Sequence, residues 1–225
     1  MARFARVVVP GIPHHMVQRG VRSMDIFTCD DDRRVYLGLV RECALRHHVS
    51  LVAWCLMTNH SHLVGVPEEH DSLAKALGEV ARRYARLMNA REGVTGHFFQ
   101  ERYFSYPIQT DGHLVEVVRY VELNPVRAGL ADQPESYAWS SAKHHLTNAR
   151  DPLIDSGAMR DLLPSSSSWQ EYLREGRATD HMRAEIERRL STGRPLGTKE
   201  WIAGLENQLD RTLAPKRPGP RSKIR

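Results

Sequence analysis

Ser50-Leu51-Val52-Ala53-Trp54-Cys55-Leu56-Met57-Thr58-Asn59-His60-Ser61-His62-Leu63-Val64-Gly65-Val66-Pro67 joins two apolar runs across a polar break at Thr58-Asn59 and ends at a proline. The pattern predicts one or two strands with a turn near Thr58-Asn59. Successive side chains on a strand point to opposite faces, so His60 and His62 share one side. Two imidazoles placed this way can grip a divalent metal once a third ligand arrives from elsewhere. As a bare pair they suit a satisfied strand interior equally well.

Upstream, Val7-Val8-Val9 and Pro10-Gly11-Ile12-Pro13 read as extended chain broken by turn residues, and His14-His15-Met16-Val17-Gln18-Arg19-Gly20 as a strand running into a loop. Cys29-Asp30-Asp31-Asp32 offers cap residues and first-turn acids for a helix over about 31–48, with Tyr36, Leu39, Val40, Cys43 and His47 as its inner stripe. Asp71-Ser72 opens a second helix, about 72–91, whose buried stripe is Leu73, Leu77, Val80, Tyr84 and Leu87. Arg82, Arg83 and Arg86 lie on or near its exposed side, as a solvated face or a phosphate-contacting one.

Gly96-His97-Phe98-Phe99-Gln100-Glu101-Arg102-Tyr103-Phe104-Ser105-Tyr106-Pro107-Ile108 mixes aromatics with Arg102, and its second half reads as a strand. Such a mixture can clamp unpaired bases or simply fill a core. Asp111 can cap a helix over about 112–123 with Leu114, Val117, Val118 and Val121 inward, ended by Asn124-Pro125. Tyr120 and Asn124 are i, i+4 neighbours beside that stripe, so a phenol and an amide oxygen point one way. Tyr137 to Ala142 reads as a short closing helix. A boundary falls near residue 146; beyond it come a Pro164–Ser168 linker and helices near 169–176, 180–191 and 198–213.

The order of elements predicts an α+β fold, a split βαβ with an antiparallel sheet and packed helices. Residues 1–146 would form this domain, 147–214 a mainly helical appendage and 215–225 a basic disordered tail. The net charge is +5, and Lys216, Arg217, Arg221, Lys223 and Arg225 supply all of it, leaving 27 basic against 27 acidic residues in the remaining body. A polyanion-binding tail and a solubilising one are both consistent with this. No apolar run approaches the roughly 18–20 residues of a membrane helix, and the Val7–Val9 run is too short for a secretory signal core. The three scattered cysteines, without a Cys-x-x-Cys pair, speak against disulfides and a structural zinc knuckle.

If the Tyr120 helix crosses the His60/His62 strand, the site holds two imidazole nitrogens, the Asn124 carbonyl oxygen, one phenol and room for one cation. A metal with open positions polarises a phosphoryl oxygen, and nitrogen and oxygen ligands with a phosphate substrate point to Mg²⁺ or Mn²⁺. Met57-Thr58-Asn59-His60-Ser61-His62-Leu63, Gln100-Glu101-Arg102-Tyr103 and Arg119-Tyr120-Val121-Glu122-Leu123-Asn124-Pro125-Val126-Arg127-Ala128-Gly129 together resemble the single-tyrosine HUH transposases. The nearest branch is the REP-associated tyrosine transposases, which the Pro10–His15 and Tyr137–Ser141 stretches are also similar to. The resemblance covers about residues 5–146.

It implies a ferredoxin-like catalytic domain in a bacterial cytoplasmic enzyme, nucleoid-associated when bound, that cleaves and rejoins single-stranded DNA beside hairpins through a 5′-phosphotyrosine. Tyr120 would be the nucleophile and His60, His62 and Asn124 the metal ligands. Arg19, Arg82, Arg86, Arg102, Tyr103, Arg119 and Arg127 are the expected DNA contacts. The alternative is a domesticated, catalytically dormant binder of hairpin nucleic acid. Monomer and homodimer stay open, as does whether the site forms within one chain. Ser61 departs from the resemblance, since that middle position usually carries a bulky hydrophobic residue, and it predicts weaker packing behind the histidines.

Overall fold

The structure is a computed structural model that describes residues 5–110, 112–147, 149–154, 166–175 and 180–214. Its elements are β1 (His14–Arg19), α1 (Asp30–Arg46), β2 (Val49–Leu56), β3 (His60–Pro67), α2 (Ser72–Glu92), β4 (Phe104–Pro107) and α3 (Gly112–Arg127). Four further helices follow: α4 (Ala142–Thr147), α5 (Ser166–Glu175), α6 (Asp180–Thr192) and α7 (Lys199–Leu209). Among the described residues the strands form one antiparallel sheet in the order β2-β3-β1-β4, the ferredoxin-like arrangement expected.

The alternation of β3 sorts the core into two halves. Leu63 joins Met16, Trp54 and Leu56 against α1 and α2, around Tyr36, Tyr84 and Leu73. Val64 joins Cys55 and Tyr106 on the opposite face, against Val117, Val118 and Val121 of α3. The chain thus builds three layers, with the sheet in the middle. Each face buries enough apolar surface to fix the register, because a one-residue slip would exchange the two sets.

α1 starts where the acids promised. Asp32 reaches back to accept the backbone N–H of Thr28 at 2.8 Å and of Cys29 at 3.3 Å, and Arg91 at the end of α2 pairs with it. Burial alone would push the Asp32 carboxyl up; the Arg91 and Thr28 hydrogen bonds outweigh that and hold it well below the usual carboxylate range.

Several local expectations change. On α2, Met88 is buried and Leu87 is 48% exposed, because the stripe drifts by one position near the helix end. α3 runs through Pro125 to Arg127, and Ala128 N–H donates to Asn124 O at 3.0 Å. The proline forfeits only its own donor, and its last turn is closed by the residues after it. No helix forms over Tyr137–Ser141: Ser140 bridges Cys55 at the sheet edge, and α4 begins at Ala142. α5 already begins at Ser166, within the expected linker. Asp111, Pro164, Ser165 and the basic tail 215–225 lie outside the described residues.

α5 and α6 share the core of the sheet. Trp169, Leu173, Ile186 and Leu196 pack into the cluster of Tyr106, Tyr120 and Val121. Buried Glu122 on α3 accepts hydrogen bonds from Ser141 Oγ at 2.8 Å and Trp169 Nε1 at 2.9 Å, and pairs with His145. The boundary expected near residue 146 therefore falls inside a continuous core. α7 lies apart, with Leu205 and Leu213 against Val7 and Val9.

Candidate functional site

The sheet face under α3 collects the chemistry-bearing side chains. β3 contributes His60 and His62, whose rings lie 4.7 Å apart and nearly perpendicular. α3 lowers Tyr120 onto them, with 5.8 Å between the His62 and Tyr120 ring centroids. Both halves come from one chain. Asn124, one turn on, donates Nδ2–H to Tyr120 O at 2.9 Å, and its side chain also hydrogen-bonds the Tyr120 phenol.

Each histidine has one nitrogen spoken for. His60 Nδ1 lies 2.6 Å from Asn59 Oδ1. Asn59 is itself pinned at the strand end, because Gly20 N–H donates to its carbonyl at 3.0 Å. Gly20 cannot be replaced cheaply: a Cβ there would meet Met24 O at 2.3 Å. His62 Nδ1 lies 2.9 Å from His15 Nε2, and His62 Nε2 is a buried nitrogen with no protein partner.

Electrostatics keep both rings neutral at pH 7. Burial, with the Arg19 charge second, draws His60 down to about 4. Burial and then the neighbouring histidines draw His62 well below its usual value. A neutral imidazole carries the lone pair a cation needs. Imidazole nitrogens, one of them orphaned inside the protein, and an amide oxygen are donor types that suit a divalent cation; among the described residues no group of three or more His, Cys, Asp and Glu could hold a metal ion.

Tyr120 is 8% exposed. Burial first, and the charge of Glu187 second, push its phenol above the usual tyrosine value, while Arg183 and Arg127 pull the other way. Glu187 and Arg183 belong to α6, which roofs a crevice lined by Glu116, Arg119, Tyr120, Arg127, Met182 and Ile186. The Arg127 guanidinium lies 5.7 Å from the Tyr120 ring centroid.

The expected DNA contacts divide. Arg19 is exposed at the end of β1, directly opposite His60 in the sheet register. Arg82 and Arg102 rim a groove of about 550 Å³ between α2 and the 96–103 loop, while Arg86 is exposed farther along α2. Two members do not suit a surface role. Arg119 is buried, pairs with Glu116 at 2.6 Å and lies 4.2 Å over the Tyr172 ring. Tyr103 is buried beneath Arg6, whose guanidinium sits 4.0 Å from its ring. Phe98 and Phe99 likewise pack with Tyr84 in the core.

His15 and Tyr106 were missed as site residues. Strand alternation puts His15 on the face of Val17, but only the cross-strand register brings that face to His62. No helix among the described residues is long and apolar enough to cross a membrane.

Over residues 9–124 the chain matches the family described as IS200-like transposase. A REP-associated tyrosine transposase solved bound to a REP hairpin is similar in fold, with a TM-score of 0.57 and 15% identity over 74% of this chain and 96% of that one. A putative transposase from Deinococcus radiodurans R1 aligns over 54% of this chain and 96% of that one, at 18% identity and a TM-score of 0.38. The comparison with curated proteins found no match. The family match spans every strand and reaches through Tyr120 to Asn124; the chain belongs to the IS200-like transposases.

Proposed function

We propose that this protein is a divalent-metal-dependent DNA strand transferase of the REP-associated branch, acting on single-stranded DNA beside a hairpin through Tyr120. The observation that carries this reading is the convergence of Tyr120 on His62, rings 5.8 Å apart, around a buried nitrogen with no partner. His60, His62 and Asn124 would hold Mg²⁺ or Mn²⁺, which when bound supplies a positive charge for the phosphoryl oxygens.

The chain's own groups do the rest. Tyr120 Oη bonds to phosphorus, the phosphorus–3′-oxygen bond breaks, and the phenol proton is lost as the departing 3′-oxygen gains one. The product is a 5′-phosphotyrosine and a free 3′-hydroxyl, which reverses on a second 3′-hydroxyl to join strands. Packing under α3 and α6 holds the phenol in place, and Arg127 and Arg183 offer positive charge beside it. The exposed Arg19, next to His60, suits the backbone of the incoming strand.

The test is denaturing electrophoresis of the protein mixed with a hairpin oligonucleotide carrying single-stranded flanks and Mn²⁺. A covalent adduct is expected in the unaltered protein and none in Tyr120→Phe, with DNA binding kept. An undiminished adduct in that variant overturns the assignment. The burial of Tyr120 under α6 favours a second reading, a dormant hairpin binder. Tight binding without any adduct on a set of flanked hairpins would support it.

A further inference from the structure

The two imidazoles of the proposed cation site are held by different means. His60 leans on its sequence neighbour Asn59. His62 is held across the sheet by a row of side chains from three adjacent strands. His15 on β1 places Nε2 2.9 Å from His62 Nδ1 and Nδ1 2.9 Å from the hydroxyl of Tyr106 on β4. The His15 and His62 rings stack at 5.1 Å and 26°, and Tyr106 meets His15 edge-on at 5.4 Å. All three residues are buried, His15 and Tyr106 at 0% exposure. Nothing in the strand-transfer chemistry uses His15 or Tyr106.

A neutral imidazole carries one N–H, so the row has two proton arrangements. In one, Tyr106 O–H donates to His15 Nδ1 and His15 Nε2–H donates to His62 Nδ1. His62 Nε2 then bears a hydrogen aimed at no acceptor, an uncompensated buried donor. In the other, His62 Nδ1–H donates to His15 Nε2 and His15 Nδ1–H donates to the Tyr106 oxygen. His62 Nε2 is then a bare lone pair, and the buried hydrogen without an acceptor is the Tyr106 hydroxyl's instead. Only the second arrangement can bind a cation, which engages the His62 Nε2 lone pair that is otherwise without a partner.

We propose that His15, backed by Tyr106, is the positioning residue of the divalent-cation site: it fixes the plane of the His62 ring and accepts the hydrogen bond from His62 Nδ1–H, the tautomer that leaves Nε2 free to ligate. The inference rests on the reading of His62 as a ligand. It also explains a buried polar row across the middle of a sheet, where an apolar residue at position 15 would pack more simply.

The experiment titrates the full-length protein with Mn²⁺ and follows binding by calorimetry, without DNA. His15→Leu approximates the volume and removes the acceptor; His15→Gln keeps an amide oxygen near the former Nε2. Dedicated partners of metal-bound histidines are worth about 10- to 100-fold in metal affinity, so the Leu variant is expected to lose that factor and the Gln variant to stay within about threefold. Nitrogen-detected NMR of the Mg²⁺-loaded protein is expected to show the His62 proton on Nδ1, and Tyr106→Phe to weaken Mn²⁺ binding less than His15→Leu does.

Unchanged affinity in a folded His15→Leu protein overturns the proposal. If that variant fails to fold, unchanged affinity in Tyr106→Phe together with a His62 proton on Nε2 overturns it instead. His62→Ala tells the positioning role from the ligand role. Binding lost there but kept in His15→Leu refutes the positioning role alone, whereas binding kept in His62→Ala refutes the ligand assignment.

Discussion

The hydroxyl of Ser61 lies 2.8 Å from the phenol oxygen of Tyr36, which also donates to Gln18 Oε1 at 2.7 Å. Gln18 in turn donates Nε2–H to Leu77 O at 3.1 Å. Ser61 is fully buried on the face opposite the histidines. The residue that departs from the family resemblance is thus the end of a satisfied polar chain linking β3, α1, β1 and α2, and the packing behind the histidines is not slack.

Removing that hydroxyl should cost little and leave the site intact. Ser61→Ala keeps Tyr36 bonded to Gln18, so urea unfolding should show a loss of about 1 kcal/mol. Ser61→Leu, the bulky choice expected by resemblance, must overfill a closed site and cost about 1–3 kcal/mol. Mn²⁺ affinity should be unaltered in Ser61→Ala; a large drop would mean the polar chain reaches the other face.

Glu122 is the more dangerous position. Glu122→Ala strands Ser141, Trp169 and His145, three donors from outside α3, in a buried setting. The expected loss is about 3–5 kcal/mol, with Trp169 fluorescence shifting red as α5 loosens. A loss under about 1 kcal/mol would show that α4 and α5 dock without this lock.

Stability should respond to pH in two opposed windows. Burial draws His14 and His60 to about 4 and His15 to about 3, against 6.5 in the unfolded chain. The unfolded state therefore takes up protons first as pH falls. Their contribution is complete above 6.5 and is lost on acidification until about 3–4, at up to about 1.4 kcal/mol per pH unit for each ring. Burial also disfavours the charged form of His145, but the Glu122 carboxylate outweighs it and raises His145 above its usual value. That contribution is present below 6.5 and fades as pH rises through the raised value. Chemical denaturation from pH 4 to 9 should show a steep acid limb, and Glu122→Gln should selectively flatten the alkaline one.

Asn59 should tune the metal through His60 alone. Asn59→Ala removes the oxygen 2.6 Å from His60 Nδ1, so calorimetric Mn²⁺ affinity should fall about tenfold. His60→Ala should abolish metal-dependent adduct formation, and full activity in a chelator would remove the metal from the mechanism.

The basic tail is testable from its charge alone. Ending the chain at Ala214 deletes five cations and spares Leu213, which packs with Val7 and Val9. The plot of log affinity for DNA against log salt should become shallower by about 0.9 for each phosphate that the tail neutralises. An unchanged slope would leave the tail without a binding role.

Much of the fold was legible in the sequence because it depends on neighbours along the chain. The period of two in His60-Ser61-His62 places both imidazoles on one face whatever the rest does, and i, i+4 spacing places Asn124 beside Tyr120. The order of strands and helices, with the motifs they carry, pointed to the ferredoxin-like sheet that is observed. The limit shows at Pro125, where a local rule predicted a helix end and tertiary packing carried α3 one turn further.

What the sequence by itself determined, then, is which side chains share a face. The tertiary structure decided which face meets which. Cross-strand register opposite Val17 brought His15 to His62, docking of α1 gave Ser61 its partner, and packing of α6 on α3 covered Tyr120. Those outcomes follow from burying apolar surface contributed by residues far apart in the chain, a sum over the whole molecule that no local period encodes.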